Sequence, residues 1–316
     1  MASVELNPQR NTLHAHFNRD MAPCAEIDSG DTVVVRTLDV GWGMEPPTST
    51  TAPRRKFEPR DPRTDDGPCM IGPVWVRGAE PGDVLEVRIE SLAPGPWGWT
   101  YAGAGVTPPA VAEAVGMADA PLALVRWEID RVRRVARNQF GHAVAVRPFL
   151  GIVGVAPGES GVHSGWHPRH TGGNMDCREL IEGSTLLLPV CAPGALLSLG
   201  DGHAAQGDGE VGGTAIECCM EPATVRVTIR RDMRIDAPRI RTGDAWVMLG
   251  FGGTMEEAAH GALRGVVDHL CAAEGVSRAE ALALGSVCAD LRITQVVNGV
   301  VGVHAIVRDD ALRASE

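Results

Sequence analysis

The sequence contains a single lysine, Lys56, so arginine supplies every other basic side chain. This lysine lies in the Pro- and Arg-rich stretch PRRKFEPR, where we expect a solvated and fully charged amine. A mechanism that requires a buried catalytic lysine would have to use this one residue. The composition therefore disfavours enzymes whose chemistry depends on such a lysine.

Several other features are missing, and each absence excludes a class of protein. No window approaches the ~18–20 apolar residues that span a membrane, and no basic stripe with interleaved aromatics offsets the net charge of −11. Nucleic acid is therefore an unexpected partner. The N-terminus MASVELNPQRNTLHAHF lacks the charged-then-apolar profile of a signal peptide, so we expect a cytoplasmic protein. The eight cysteines form no CxxC motif, which excludes a zinc knuckle and a thioredoxin-type site.

Short apolar runs bounded by Gly and Pro turns dominate the first three quarters of the chain. Such runs occur at residues 27–40, 72–92, 184–203 and 223–233, the last with strict period-two alternation. This pattern of short apolar runs separated by turns predicts a β-sandwich or barrel rather than a βαβ array. Residues 44–68 hold almost no large apolar side chain, which predicts a long loop or lid.

The C-terminal quarter has a different pattern. Two capping boxes, Thr254 with Glu257 and Ser277 with Glu280, predict the starts of two helices. The stretch RITQVVNGVVGVHAIV then returns to strand character, with Asn298-Gly299 as a candidate hairpin turn. A mostly-β body followed by two helices and closing strands is the predicted organisation.

The stretch GDGHAAQGDGEVGGTAIE, residues 200–217, concentrates side chains that bind metals or transfer protons. Asp201 and His203 are two residues apart at the end of a predicted strand, so both should point to the same face. Asn174 and Asp176 repeat that spacing upstream, and Glu210 follows. These residues can supply three or four ligands to a divalent cation. The mixture of imidazole and carboxylate suits zinc or a similar first-row ion better than an all-oxygen calcium cage.

Other interpretations of the same residues stay open. An acidic Gly-rich segment can be a solvated loop, and Asp208 in GDG is typical of a residue in an ordinary turn. The GxGxxG formed by residues 207–212 does not join a strand to a clear helix, so no nucleotide cofactor is expected. The three histidines at 163, 167 and 170 lie among Gly and Pro, which favours a surface loop over a ligand set, and His304 has no evident partner.

The block GGNMDCRELIEGSTLLLPVCAPGALLSLGDGHAAQGDGEVGGTAIE strongly resembles the acetamidase/formamidase family. Looser matches in GPVWVRGAEPGDVLEVRI, RPFLGIVGVAP and ADLRITQVVNGVVGVH extend the resemblance over about residues 14–308. The resemblance implies hydrolysis of a small aliphatic amide to its acid and ammonia, homo-oligomeric assembly, and a divalent metal in some relatives. It also implies a mainly β fold, a jelly-roll-like β-sandwich body over 1–240 with a smaller α/β portion over 241–316.

The resemblance also guides the assignment of site residues. The single lysine fits neither a Ser-Ser-Lys nor a Glu-Lys-Cys triad, so an amidase of this kind would activate water with metal and carboxylate. We therefore expect zinc, or alternatively calcium, with roles assigned as follows: Asp176, Asp201 and His203 as metal ligands, Glu210 as general base, Asn174 and Gln206 as groups that orient the amide or stabilise the oxyanion, and Glu217, His16 and Asp39 as reserve candidates.

Two alternative functions remain at this stage. One is a lactam or larger-amide hydrolase, for which the loop at 44–68 would admit a bulkier substrate. The other is a β-sandwich that binds a small molecule without turnover. Four aromatic residues are expected in Gly/Pro loops, where they are candidate pocket walls: Trp97, Trp99, Tyr101 and Trp166.

Overall fold

A computed structural model describes residues 2–61 and 64–313 of the chain. Strands dominate the described residues, and three helices accompany them. In chain order the elements are β1 (Ser3–Leu6), β2 (Leu13–His14), β3 (His16–Phe17), β4 (Ala25–Ile27), β5 (Thr32–Val35), β6 (Met70–Val76), β7 (Val84–Pro94), β8 (Trp97–Ala102), α1 (Pro109–Ala114), β9 (Ala123–Asp130), β10 (Val135–Asn138), β11 (Ala143–Ala145), β12 (Phe149–Gly154), β13 (His163–Ser164), β14 (Gly172–Asn174), β15 (Thr185–Pro189), β16 (Leu197–His203), β17 (Glu217–Cys218), β18 (Met220–Arg230), β19 (Arg239–Arg241), β20 (Ala245–Gly252), α2 (Met255–Glu274), α3 (Arg278–Cys288), β21 (Ala289–Gln295) and β22 (Val301–Arg308).

The strands form two large sheets that share one apolar core. The first has the order β1-β5-β18-β7-β15-β19-β20-β22-β21, and the second runs β11-β10-β9-β8-β17-β16-β12-β14 with β2, β4 and β6 attached beside β16. A small third sheet pairs β3 with β13. The main core cluster draws on both large sheets, for example on Val33, Val87 and Val225 of the first and on Ile71, Leu150 and Leu199 of the second.

The predicted fold class is confirmed, because the chain is mainly β with large sheets and a helical portion near the C-terminus. Helix α2 packs against β20 and β22, and α3 packs against α2, around a separate apolar cluster. The boundary at residue 240 remains a prediction. Strand β19 spans that position and pairs with both β15 and β20, so the first sheet runs through it.

Local signals near the C-terminus predicted the helix ends well. The Thr254 side chain accepts a hydrogen bond from the Glu257 N–H at the start of α2, and Gly275 ends that helix in the left-handed region at φ 68°. At α3 both hydrogen bonds of the capping box form between Ser277 and Glu280. These interactions need only neighbouring residues, which explains why the sequence alone revealed them.

The segment 44–68 is largely irregular, as expected. Among its described residues, Lys56 forms an isolated β-bridge with Gly43, which lies just before the segment. The described part of the segment contains no helix and no strand longer than this single bridge. Residues 62 and 63 of this segment lie outside the described part. Among the described helices, none is both long and apolar enough to cross a membrane.

Candidate active site

The centre of the candidate site lies at the end of β16, where Asp201 and His203 follow a run of buried residues. Leu150 pairs with Gly202 and Ile152 with Gly200, so Gly151 of β12 stands directly opposite Asp201. A Cβ on this glycine would lie 2.5 Å from Asp176 Oδ1, 2.7 Å from Asp201 Oδ2 and 2.9 Å from His203 Cε1. Glycine therefore keeps open the small space in which these three side chains converge.

Three acidic residues of the site have an unusual backbone conformation. Asp176, Asp201 and Glu210 have φ values of 50°, 56° and 47°, in the left-handed region that side-chain-bearing residues rarely adopt. Strained backbone of this kind tends to concentrate at functional sites. At Asp201 the positive φ also interrupts the simple alternation of the strand. The contact between Asp201 and His203 is nevertheless made, as the two-residue spacing predicted.

The two ring nitrogens of His203 face different carboxyl groups. Its Nε2 atom lies 3.1 Å from Asp201 Oδ1 and 3.1 Å from Glu217 Oε2. Its Nδ1 atom lies 4.0 Å from Asp176 Oδ1 and has no hydrogen-bond partner among the described residues. The imidazole ring is held edge-on by Phe149, with ring centroids 4.9 Å apart.

The cluster carries more acidic than basic groups in a buried environment. Asp176, Asp201, His203 and Glu217 are at most 3% exposed, and Glu210 is 7% exposed. Burial, together with neighbouring Asp201, raises the pKa of Asp176 to about 7. Burial likewise raises the pKa of Glu217 to about 8 and that of Glu210 well above its usual range.

His203 and Asp201 favour their charged forms, in contrast to the other carboxyl groups of the cluster. Burial would lower the pKa of His203, but the carboxylates of Asp201 and Glu217 outweigh that effect and raise it well above its usual value. Burial would raise the pKa of Asp201, yet attraction and hydrogen bonding to His203 leave that pKa below its usual value. The imidazole and the Asp201 carboxylate thus form an ion pair inside an acidic cluster.

The donor atoms of the cluster fit a divalent cation. Two groups share His203: Asp176, His203 and Glu210 form one, and Asp201, His203 and Glu217 form the other. Within each group the potential ligand atoms all lie within 4.8 Å of one another. Among the described residues, His203 Nδ1 and Glu210 Oε2 are buried without a hydrogen-bond partner, and Glu217 Oε2 has His203 Nε2 as its near neighbour at 3.1 Å. Since buried polar atoms normally find partners, these unpaired atoms and the imidazole–carboxylate chemistry fit residues that could hold a metal ion.

Two asparagines hold the carboxylates in place. In the amide orientation that gives each polar atom a partner, Asn174 donates to Asp201 Oδ2 and Asp176 Oδ1, both at 3.2 Å. Its side-chain oxygen then accepts from Asn298 Nδ2 at 3.1 Å. Asn298 Nδ2 also lies 2.5 Å from Asp176 Oδ2. In this orientation the Asn174 amide has Asp176, Asp201 and Asn298 as its hydrogen-bond partners.

The cluster opens towards solvent through Gln206 and Glu210, which line a cleft of about 480 Å³. The Gln206 amide nitrogen donates to the Asp176 carbonyl at 2.8 Å, whereas its buried Oε1 atom has no partner within the described chain. Of the five cluster residues, Glu210 alone lines this cleft. Gln206 and Glu210 are thus the predicted site residues that a small molecule would reach first.

Two reserve candidates, His16 and Asp39, differ in their contacts, because Asp39 is fully paired whereas His16 Nδ1 is buried without a hydrogen-bond partner among the described residues. Asp39 is fully buried, forms an ion pair with Arg54, and accepts hydrogen bonds from Trp99 Nε1 at 2.8 Å and Gly43 N at 2.7 Å. These contacts fasten the 44–68 segment to the second sheet. His16 belongs to β3, and burial lowers its pKa although the neighbouring Asp65 opposes that effect. Neither residue is among the two potential ligand groups, whereas Glu217 is.

The aromatic residues proposed as pocket walls have other positions than expected. Trp97, Trp99 and Tyr101 belong to strand β8 rather than to a loop, so the expectation of loop aromatics was wrong for them. Trp166 is 44% exposed and does not line the cleft beside Glu210. The aromatic wall of that cleft is Trp127.

The histidines at 163, 167 and 170 contact separate partners. His163 Nε2 lies 3.1 Å from the Glu159 carbonyl, and His170 Nε2 lies 3.7 Å from Cys191 Sγ. His167 Nδ1 lies 2.6 Å from the Asn298 carbonyl, which fixes the turn that supports Asp176. The preference for a loop beside the site over a ligand set agrees with these contacts.

Sequence reasoning missed Gly151, Asn298 and Trp127. Each reaches the site through pairing between segments that lie far apart in the chain. The NG pair at 298 indicated a turn but gave no sign that its asparagine would meet Asp176. The signal that could have suggested Gly151 is a glycine within the otherwise apolar run FLGIVG, which indicates close approach of other atoms to the backbone.

A solved structure resembles this chain over nearly its whole length, and curated relatives match about half to two thirds of it. An acetamidase from Bacillus halodurans superposes with a TM-score of 0.83 at 26% identity, covering 96% of this chain and 97% of that structure. The acetamidase of Mycolicibacterium smegmatis is 29% identical over 206 residues, 46% of this chain and 50% of that protein. A formamidase of Methylophilus methylotrophus is 23% identical over 254 residues, 64% of this chain and 60% of that protein.

The chain spans between 50% and 63% of the length of the curated relatives that it matches. The sequence profile of one family matches residues 2–167 and 164–306, and it is described as the acetamidase/formamidase family. These matches agree with the resemblance that the GGNMD and GDGHAAQGDGE blocks indicated. The chain belongs to the acetamidase/formamidase family.

Proposed function

We propose that the protein hydrolyses a small aliphatic primary amide, of the formamide or acetamide type, to the carboxylic acid and ammonia. The observation that carries this proposal is the buried carboxylate–imidazole cluster that opens through Glu210 and Gln206 into a cleft. Membership in a family whose relatives are named acetamidase and formamidase supports the same chemistry.

In this proposal His203, Asp176 and Asp201 hold a divalent cation, with Glu217 beside them. His203 belongs to both potential ligand groups, one of which adds Asp176 and Glu210 and the other Asp201 and Glu217. Uncompensated charge from these buried carboxylates would be costly, and a cation offsets it. When bound, such an ion would polarise the amide carbonyl and lower the pKa of water to about 7. Zinc suits the mixed nitrogen and oxygen donors better than calcium, which prefers oxygen ligands alone.

Glu210 is the general base in this proposal. It lines the cleft, whereas the other carboxyl groups of the cluster do not, so its carboxylate is the one within reach of a water that attacks a bound amide. Burial raises the pKa of Glu210, and a cation bound in the cluster would favour its ionised form. Its carboxylate takes a proton from the attacking water as the oxygen bonds to the acyl carbon. The same proton then passes to the nitrogen as the C–N bond breaks, so that ammonia leaves.

Gln206 is suited to orient the substrate. The Gln206 NH₂ group donates to the Asp176 carbonyl, which fixes the side-chain amide. The Gln206 Oε1 atom has no partner among the described residues, so it can accept a hydrogen bond from the NH₂ group of the substrate. Asn174 and Asn298 hold Asp176 and Asp201 in their conformations.

Homo-oligomeric assembly and a cytoplasmic location remain predictions.

The test combines elemental analysis of protein purified without added metal with ammonia release from formamide and acetamide. We expect stoichiometric divalent metal, loss of activity on chelation, and recovery when metal is restored. Full activity in metal-free protein would refute the ligand assignments. Absence of ammonia from every small primary amide would refute the proposed reaction itself, and a non-catalytic binding protein would then become the better interpretation.

A further inference from the structure

The cleft beside Glu210 has an apolar wall opposite the polar groups of the site. Trp127 of β9, Val144 of β11 and Val211 of the loop after Glu210 all line it. Val144 is 37% exposed and Val211 is 67% exposed. Exposed aliphatic side chains grouped at a concave site commonly mark a surface that binds an apolar group.

Trp127 presents this cleft with a fixed and purely apolar face. Its only polar atom, Nε1, donates to Thr100 Oγ1 at 3.0 Å. The Thr100 hydroxyl in turn donates to the Ala215 carbonyl at 2.6 Å. Because both donors already have partners, neither is free to bind a polar substituent of a substrate.

The size of the cleft points in the same direction. Its volume of about 480 Å³ lies within the range of roughly 300–1,000 Å³ typical of sites for drug-sized ligands. Formamide or acetamide would fill only the end of the cleft beside Gln206 and Glu210. The apolar wall would then stay hydrated, which forgoes the favourable burial of its surface.

We infer that the enzyme prefers primary amides whose acyl group carries a bulky apolar substituent, aryl or branched alkyl, that packs against Trp127, Val144 and Val211. This inference rests on the proposed hydrolysis of primary amides: acetamide remains a substrate, and amides with a larger apolar acyl group are the better ones. The carboxamide meets Gln206 and Glu210, while the substituent lies along the apolar wall. The reaction is unchanged: water supplies OH to the acyl carbon and a proton to the departing ammonia.

The test compares kcat/KM for 2-phenylacetamide and acetamide, both followed by ammonia release, in wild-type protein and in variants. We expect the aryl amide to be favoured about tenfold or more, since hydrophobic pockets discriminate by roughly 10–200-fold per added group. Trp127→Ala should lower this ratio by about tenfold. Val211→Asn should also lower it. Val132→Asn, at a valine that is 94% exposed on the β9–β10 turn, is the matched control and should leave it unchanged.

Each outcome bears on a different claim. Because Val211 is largely exposed, the Val211→Asn protein should fold. Its ratio of kcat/KM values for the two amides therefore tests the inference even if the Trp127→Ala protein fails to fold. Turnover of acetamide with no preference for the aryl amide, or a ratio that neither variant changes, overturns the inference and leaves the proposed function intact. No ammonia from either amide overturns the proposed function, and the inference falls with it.

Discussion

Gly151 lies directly across from Asp201 on the neighbouring strand, and a Cβ at that position would stand 2.7 Å from the Asp201 Oδ2 atom. The same Cβ would stand 2.5 Å from Asp176 Oδ1. Real Cβ atoms do not tolerate such distances, so at least one carboxylate would have to move. The glycine thus sets how closely the two carboxylates can approach a shared ligand.

Gly151→Ala should therefore abolish activity while leaving the fold largely intact. Displacing the carboxylates by even a fraction of an ångström should weaken metal binding by about 10–100-fold or more, the range found when a ligand loses its correct orientation. Metal affinity measured by competition with a chelator, together with amide turnover, checks this expectation. Gly243→Ala is the control, because no atom lies within 4 Å of its added Cβ. A Gly151→Ala protein with normal metal affinity would contradict the described geometry.

Asn298 should act on the site through Asp176. Replacing it with alanine removes the hydrogen bond to the Asp176 carboxylate and the partner of the Asn174 amide. We expect a loss of about 10–100-fold in metal affinity or turnover, as is usual for a residue that orients a ligand.

The matched control for Asn298→Ala is Asn138→Ala. Asn138 also supports a hairpin turn through its side chain, accepting from the Phe140 and His142 backbone, but it lies on β10. If Asn298→Ala merely lowered the melting temperature, as Asn138→Ala should, and left metal affinity unchanged, the positioning role would be wrong.

The sequence contained enough information to predict the strand that carries Asp201 and His203. Their spacing, the Asn174–Asp176 pair and the two capping boxes are all properties of neighbouring residues. The contact of Asn298 with Asp176 joins residues 122 positions apart. Such a contact depends on how the two sheets stack, which no local pattern specifies. Asp39 shows the reverse case: the family resemblance made it a reserve candidate for the site, whereas in the structure its side chain pairs with Arg54.

The ion pair between Asp39 and Arg54 should contribute to stability rather than to catalysis. Arg54→Met would leave the fully buried Asp39 carboxylate with neutral partners alone, Trp99 and Gly43. Breaking a buried pair from one side typically costs about 3–5 kcal/mol. Urea unfolding should show a loss of this size, whereas metal content of the folded protein should not change.

Arg77→Met serves as the control for the Arg54 substitution. Arg77 forms its ion pairs with Asp28 and Glu26 on the surface, where solvent screens them, so little stability should be lost. Loss of bound metal in the Arg54→Met protein would show that Asp39 belongs to the site after all.

The pKa values of Asp176 and Glu217 predict how the stability of chelated protein changes with pH. With pKa values of about 7 and about 8, both groups hold protons in the folded state that the unfolded chain, with ordinary carboxyl pKa values, has already lost. The folded state therefore releases protons as the pH rises, and its stability falls. Between pH 6.5 and 8.5 we expect a decrease of about 2–3 kcal/mol in the free energy of unfolding.

Urea unfolding in excess chelator at several pH values across this window measures the effect. Glu217→Gln should flatten the decline, because it removes one of the groups that titrate in this window, whereas Glu113→Gln, at an exposed carboxylate on α1, should not. With saturating metal the trend should weaken or reverse, since the cation competes with protons for the same oxygens and binds more tightly as they ionise. A chelated wild-type protein whose stability stays constant or rises from pH 6.5 to 8.5 would mean that these carboxyl groups are already ionised in the folded state. The excess of buried acid would then have to be balanced by a cation that the chelator fails to remove.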